Sequence, residues 1–189
     1  KKITIALIMV ISLIAPIQTM AESVTQNGTI IEPLEQNIEQ IIDEITSEPR
    51  PINSDAIQNV KEYISEYFGN LGYDNIEYQK FEYNDENNEN AIRHSSQADV
   101  FLASTAEDAI VDGIGENIIV TKNSSIDTTK NLIISAHYDS AEDSVGANDN
   151  GSGVAAVLEL ARILKDTEIP YNIKFILFSG EEKYMLGSR

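Results

Sequence analysis

Residues 131–179 constrain the fold more than any other part of this sequence. An apolar run, NLIISAHYD (131–139), precedes SGVAAVLELARILKD (152–166), and a second apolar run, IPYNIKFILFS (169–179), follows. Each run has the length of a strand, and its centre is apolar at both parities. That composition suits strands covered on both faces. The segment between them places Val154, Val157, Leu158, Ala161 and Leu164 at helical spacing. Strand, helix and strand in this order predict a βαβ unit in a mostly parallel sheet.

The preceding chain supplies further elements. Residues 31–46 carry apolar side chains at helical spacing, and a second helix is predicted to open at Ser54, with Asp55 in its first turn. Gly69 or Gly72 ends that helix. NIEYQKFEY (75–83) and NIIVTK (117–122) read as strands. Residues 84–90 contain no apolar side chain and read as an exposed loop. Between them, ADVFLAS (98–104) fits a strand and AEDAIVDGIG (106–115) a loop or short helix. His94 stands beside Arg93 without a ligand pattern and is read as a surface residue. EEKYMLGS (181–188) is expected to begin another helix.

The N-terminal residues KKITIALIMVISLIAPIQTMAES place two lysines before an apolar run from Ile3 to Ile17, with small residues near Ala21. The run is shorter than the roughly 20 residues that span a bilayer. The expectation is a signal peptide over 1–21, export, and no stable membrane insertion after cleavage. The helices and acidic loop then occupy 22–116, and the strand-rich region 117–189 follows.

Charge and cysteine usage narrow the chemistry. The chain has 31 acidic and 13 basic residues, a formal charge of −18. A phosphate backbone wants Lys and Arg, so no nucleic-acid partner is expected. The absence of cysteine removes disulfides and thiolate ligands. A metal would have to be held by His, Asp and Glu.

Such groups gather where strands end, which is where open α/β sheets place their sites. His137 and Asp139 end the first apolar run. At i and i+2 they face one side of a strand, so the carboxylate can fix the imidazole tautomer. Asp149 lies in GANDNGSG, where glycines let the backbone approach a ligand and two carboxylate oxygens can bridge two cations. Asp149 also suits a plain turn before the helix. A phosphate loop lacks its Gly-Lys-Ser/Thr. Glu181 and Glu182 follow the second run. Ser179 and Glu182 fit a capping box, which leaves Glu181 unexplained. Adjacent carboxylates need compensation, and a cation supplies it. Glu182 would then coordinate, and Glu181 would take a proton from activated water.

SAHYDS, GANDNGSGVAAVLELARIL and IKFILFSGEEKYMLGS, in this order and spacing, resemble the M28 family of secreted zinc aminopeptidases. The resemblance is firm across 117–189. It implies an α/β domain, three-layer α/β/α around a mixed, mainly parallel sheet. It also implies two Zn2+ ions, with Mn2+ or Co2+ as other occupants, and peptide substrates with a free N-terminus. Carried over by position, His137 and Glu182 ligate one zinc each, Asp149 bridges both, Glu181 is the general base and Asp139 orients His137. The family's further aspartate and histidine ligands fall beyond Arg189. The sequence is therefore read as the first part of a catalytic domain, inactive alone. Rival expectations are a related zinc hydrolase, carboxypeptidase or glutaminyl cyclase on the same framework, and a secreted interaction domain without activity.

Overall fold

The computed structural model describes residues 25–26, 29–30, 33–83, 93–94 and 113–189. The signal-peptide reading over 1–21, the acidic loop at 84–90, the strand reading over 98–104 and the loop or short-helix reading over 106–112 lie outside the described residues, as does the side chain of His94; residues 113–115, the end of that last reading, are instead part of a strand. The chain divides into two compact units, Lys1–Pro33 and Leu34–Arg189. In the first, β1 (Thr25–Gln26) pairs antiparallel with β2 (Thr29–Ile30).

The second unit opens with helix α1 (Glu35–Ile45), whose Ile41 and Ile45 are buried. Its start is tied down from a distance. Buried Glu159 accepts from Leu34 N at 2.8 Å and from Asn37 Nδ2 at 2.6 Å, and it is paired with Arg162. Burial opposes the Glu159 charge, but Arg162 and these N–H groups outweigh it and hold the carboxyl below its usual range.

Helix α2 (Asp55–Asn70) follows, buried through Ala56, Ile57, Val60, Ile64 and Phe68. Its cap is the predicted one: Ser54 Oγ accepts from Ile57 N at 3.1 Å. Ser54→Ala should destabilise the fold by about 1 kcal/mol. The check is a urea unfolding midpoint, with no change in slope expected.

The strands are β3 (Ile76–Tyr83), β4 (Arg93–His94), β5 (Gly113–Lys122), β6 (Asn131–His137) and β7 (Asn172–Phe178). Helix α3 (Ser152–Leu164) connects the last two. The sheet order is β4-β3-β5-β7-β6. Here the expected strand directions are corrected. Only the β6–β7 pair is parallel, and β4–β3, β3–β5 and β5–β7 are antiparallel. The sheet is mixed and helix-flanked, but mainly antiparallel rather than mainly parallel. The cause is physical: a strand under a helix layer is apolar whichever way it runs, so the composition of β5 carries no direction.

The core lies on one face of this sheet. Ile118, Val120, Ala136, Ile173, Phe175 and Leu177 meet the buried residues of α1, α2 and α3. Phe175 packs against Phe68 and Tyr73, with both ring-centroid distances 5.8 Å. Such aromatic pairs add about 0.5–1.5 kcal/mol each beyond the area they bury. On the opposite face Phe81 is buried beside the C-terminal turn, which ends in a 3-10 segment, Leu186–Ser188. Farther along that face Ile133 is exposed. Among the described residues no helix is long and apolar enough to cross a membrane.

Candidate metal centre

The one parallel pair positions the site. His137, the last residue of β6, is in register with Phe178, the last of β7. Tyr138 N then donates to Phe178 O at 2.8 Å. Two carboxyl ends thus open side by side, and the loops that leave them share one space.

His137 is buried and held from both ring nitrogens. Nδ1 lies 3.2 Å from Asp139 O and 3.5 Å from Asp139 Oδ1. Nε2 lies 3.0 Å from Asp149 Oδ1 and 3.8 Å from Glu181 Oε2. The strand stops at His137, so Asp139 sits in the turn rather than on a shared strand face. It reaches the imidazole nonetheless. Its own carboxylate does a second job that strand alternation did not predict. Oδ1 accepts from Glu181 N and Oδ2 from Glu182 N, both at 3.1 Å. One buried side chain therefore fixes the imidazole and the loop bearing the paired glutamates.

That loop is not a helix start. The expected helix over 181–188 is replaced by turns, with Tyr184 and Met185 at φ 63 and 57. Met185 N donates to Glu181 O, Leu186 N to Gly180 O, and Gly187 N to Ser179 O. Ser179 consequently does not cap a helix, and the capping-box reading of Glu182 falls away. Buried Asn117 closes the loop from β5: its Oδ1 accepts from Ser179 N at 3.1 Å, and its Nδ2 donates to Gly187 O at 2.7 Å. Gly187 is required by close approach, since a Cβ there would stand 2.4 Å from Ser179 O.

Asp149 lies in an irregular turn, Ala147–Gly151, that leads into α3; the Asp149–Asn150 peptide is cis. Its side chain is 76% exposed, in contrast to Asp139 at 1%. Asp149 reaches His137 from the solvent side.

Ligand atoms of His137, Glu181 and Glu182 all lie within 4.8 Å of one another. First-row divalent ions take nitrogen and oxygen ligands at about 2 Å, so donors on one ion stand roughly 3–4 Å apart. The 3.0 and 3.8 Å separations around His137 Nε2 match that spacing. The electrostatics agree. Burial pushes the Glu182 carboxyl up from its usual value, and the Asp149 charge adds to the push. Burial alone would lower the His137 pKa, but Asp139, Asp149 and Glu181 overcome it and raise it to about 9. An imidazolium is the cation this carboxylate ring stabilises without a metal, and a divalent ion answers the same field. The residues fit a metal.

The structure therefore brings together His137, Asp139, Asp149, Glu181 and Glu182. Glu181 belongs to the tight ligand-spaced cluster, whereas sequence reasoning gave it to proton transfer alone. One cluster of this kind is found among the described residues; a second is not. Two structural contributors escaped the sequence reading. Asn117 was hidden inside an apolar strand. Arg50 sits between two prolines, where it reads as a linker.

The comparisons with known proteins follow the same lines. Residues 117–189 match peptidase family M28. Aminopeptidase YwaD of Bacillus subtilis is 43% identical over 81 residues, covering 42% of this chain and 18% of that protein. A vacuolar membrane protease of Schizosaccharomyces japonicus is 31% identical over 150 residues, covering 78% of this chain and 16% of that protein. The chain thus spans under a fifth of the length of these curated relatives. Among solved structures, BSAP, a zinc aminopeptidase from Bacillus subtilis, superposes with a TM-score of 0.63 at 18% identity, covering 82% of this chain and 63% of that one. Residues 117–189 are thus homologous to peptidase family M28, and the chain shares the fold of the zinc aminopeptidase BSAP.

Proposed function

We propose that this chain is part of an exported, metal-dependent aminopeptidase that hydrolyses the first peptide bond of peptides with a free N-terminus. One observation carries the reading: an imidazole and three carboxylates, Asp149, Glu181 and Glu182, converge where β6 and β7 end side by side, with Asp139 behind them. His137 and Glu182 would each hold a Zn2+ ion, and Asp149, open to solvent and facing Nε2, would bridge the two. Bound there, the metal supplies a Lewis acid that polarises the scissile carbonyl and acidifies water.

The chain's own groups do the rest. Asp139 holds His137 by Nδ1, which leaves Nε2 to face the site. Its carboxylate also fixes the backbone of Glu181 and Glu182, so both side chains start from one rigid turn. Glu181 Oε2 is the carboxylate placed to take a proton and to return it to the leaving amine. The ring of negative charge favours a substrate ammonium.

The test is a substrate panel on the protein extended to the family's full catalytic domain. Amino-acyl substrates should be cleaved, chelation should stop the reaction, and N-acetylation of the substrate should block it. Cleavage of N-acetylated substrates, or cyclisation of N-terminal glutamine in place of hydrolysis, would replace this reading by one of its rivals.

A pH dependence follows from His137. A metal needs the neutral ring, and the metal-free ring holds its proton up to about pH 9. Apparent zinc affinity should therefore rise about tenfold per pH unit between 7 and 9 and then level off. Calorimetry in buffers of different ionisation enthalpy should show about one proton released per zinc at pH 7.5. The metal-free fold responds in the opposite sense. A raised pKa stabilises the protonated folded form, so this contribution is full below about pH 6.5 and is lost as pH rises through 9.

A further inference from the structure

Arg50 joins α1 to α2 between Pro49 and Pro51, and it is fully buried. Its hydrogen bonds all go to one loop. Nε donates to Tyr138 O at 2.7 Å, Nη1 to Val145 O, and Nη2 to Gly146 O at 3.1 Å. Its backbone N donates to Ser140 Oγ at 2.9 Å, and its O accepts from Ser140 N at 3.2 Å. Ser140 Oγ in turn donates to Ser144 O at 2.9 Å.

Resting on the metal-centre reading above, we infer that Arg50 is a positioning residue for that centre. Its guanidinium, with Ser140 beneath its backbone, clamps both ends of the 138–146 loop. The clamp thereby sets the distance between His137 and Asp139 on one side and Asp149 on the other.

The placement of the carbonyls carries the inference. Tyr138 lies between His137 and Asp139. Gly146 lies three residues before Asp149, and its carbonyl also accepts from Gly151 N at 2.9 Å, at the start of α3. The planar fork thus spans the loop from the end of β6 to the turn that carries Asp149. A buried arginine that only filled space would have no reason to direct all three of its side-chain nitrogens at main-chain oxygens of a single loop. Gly146 is shaped to this contact. It has φ 58, and a Cβ there would stand 2.5 Å from Asp149 O, 2.7 Å from Ser140 Cβ and 3.3 Å from Arg50 Nη2. The guanidinium also places a positive charge behind Asp139 and Glu182, which lets acidic groups stand closer together than they otherwise would. A lysine carries the charge on a single point and cannot make the fork.

The test measures zinc binding by chelator competition on the 189-residue chain, with wild type, Arg50→Met and Arg50→Lys side by side. Far-UV circular dichroism and urea midpoints report the fold. The inference expects Arg50→Met to bind zinc at least about tenfold more weakly while folded, and Arg50→Lys to recover little of that loss. Amide exchange at Gly151 should quicken in both, while Ile118 and Phe175 stay protected. Folded variants with wild-type zinc affinity overturn the inference, even if they are less stable. If neither variant folds, Ser140→Ala takes their place. It removes the hydroxyl link of the same clamp and should also weaken zinc binding, and unchanged affinity there overturns the inference as well. A wild-type chain that takes up no zinc removes the metal-centre reading, and this one with it.

Discussion

Asp139→Asn should weaken zinc binding by about 10- to 100-fold and lower stability by about 2–4 kcal/mol. The change is one atom in size, and the reason for its effect lies in the donors around it. Both oxygens of Asp139 accept backbone N–H groups, from Glu181 and Glu182, at a site 1% exposed. Whichever way an amide turns, its NH2 faces one of those N–H groups. The glutamate turn then loses one of its two anchors, and the imidazole loses a charged neighbour. Asparagine forms turns as readily as aspartate. A residue that served only the turn would therefore be indifferent to the exchange. Urea unfolding and zinc competition measure the two effects separately. Zinc affinity within threefold of wild type would show that Asp139 is a turn former and nothing more.

Glu181→Gln should have the largest effect on rate. In the full-length catalytic domain, turnover should fall by about 100- to 10,000-fold, the span of general acid–base catalysis. Metal content should change by no more than a few fold. The amide keeps the size of the side chain and its backbone contact with Asp139, and it loses only the ability to accept a proton. The cluster geometry makes this test sharp, because Glu181 stands at ligand spacing from His137. If its main role is coordination, the same substitution strips the metal and the rate together. Metal analysis of the purified variant separates a base from a ligand. Undiminished turnover would remove Glu181 from the chemistry altogether.

The unit built of β6, α3 and β7 was legible because two apolar runs of strand length flank an uninterrupted helical period, and its parallel pairing followed from the helix between the strands. The convergence of His137, Asp149, Glu181 and Glu182 was legible for the same reason: parallel strands joined by a helix put their carboxyl ends together. Strand direction elsewhere was not legible. Ile118 and Val120 are buried as they would be in a parallel strand, and their antiparallel pairing with Phe175 and Leu177 depends on a connection whose residues show no pattern. The turn after Glu182 was misread because Ser179 and Glu182 have the spacing of a cap. The hydrogen bonds of Asn117, at a distance of 62 residues in sequence from Ser179, and of Asp139 to the glutamate backbone select the other conformation. Arg50 was missed for a similar reason. A charged residue between prolines looks like a solvated linker, and its partners lie 88 to 96 positions away. In each case the deciding interaction was between polar groups distant in sequence, which leave no local period.

The central claim is that His137 and the carboxylates around it form a cation site. Zinc titration of the 189-residue chain at pH 8 tests it most directly, with His137→Ala alongside. Saturable binding of at least one zinc, weakened about 100-fold or more by the substitution, is the predicted result. A folded chain that binds no zinc, or binds it equally well without the imidazole, would contradict it.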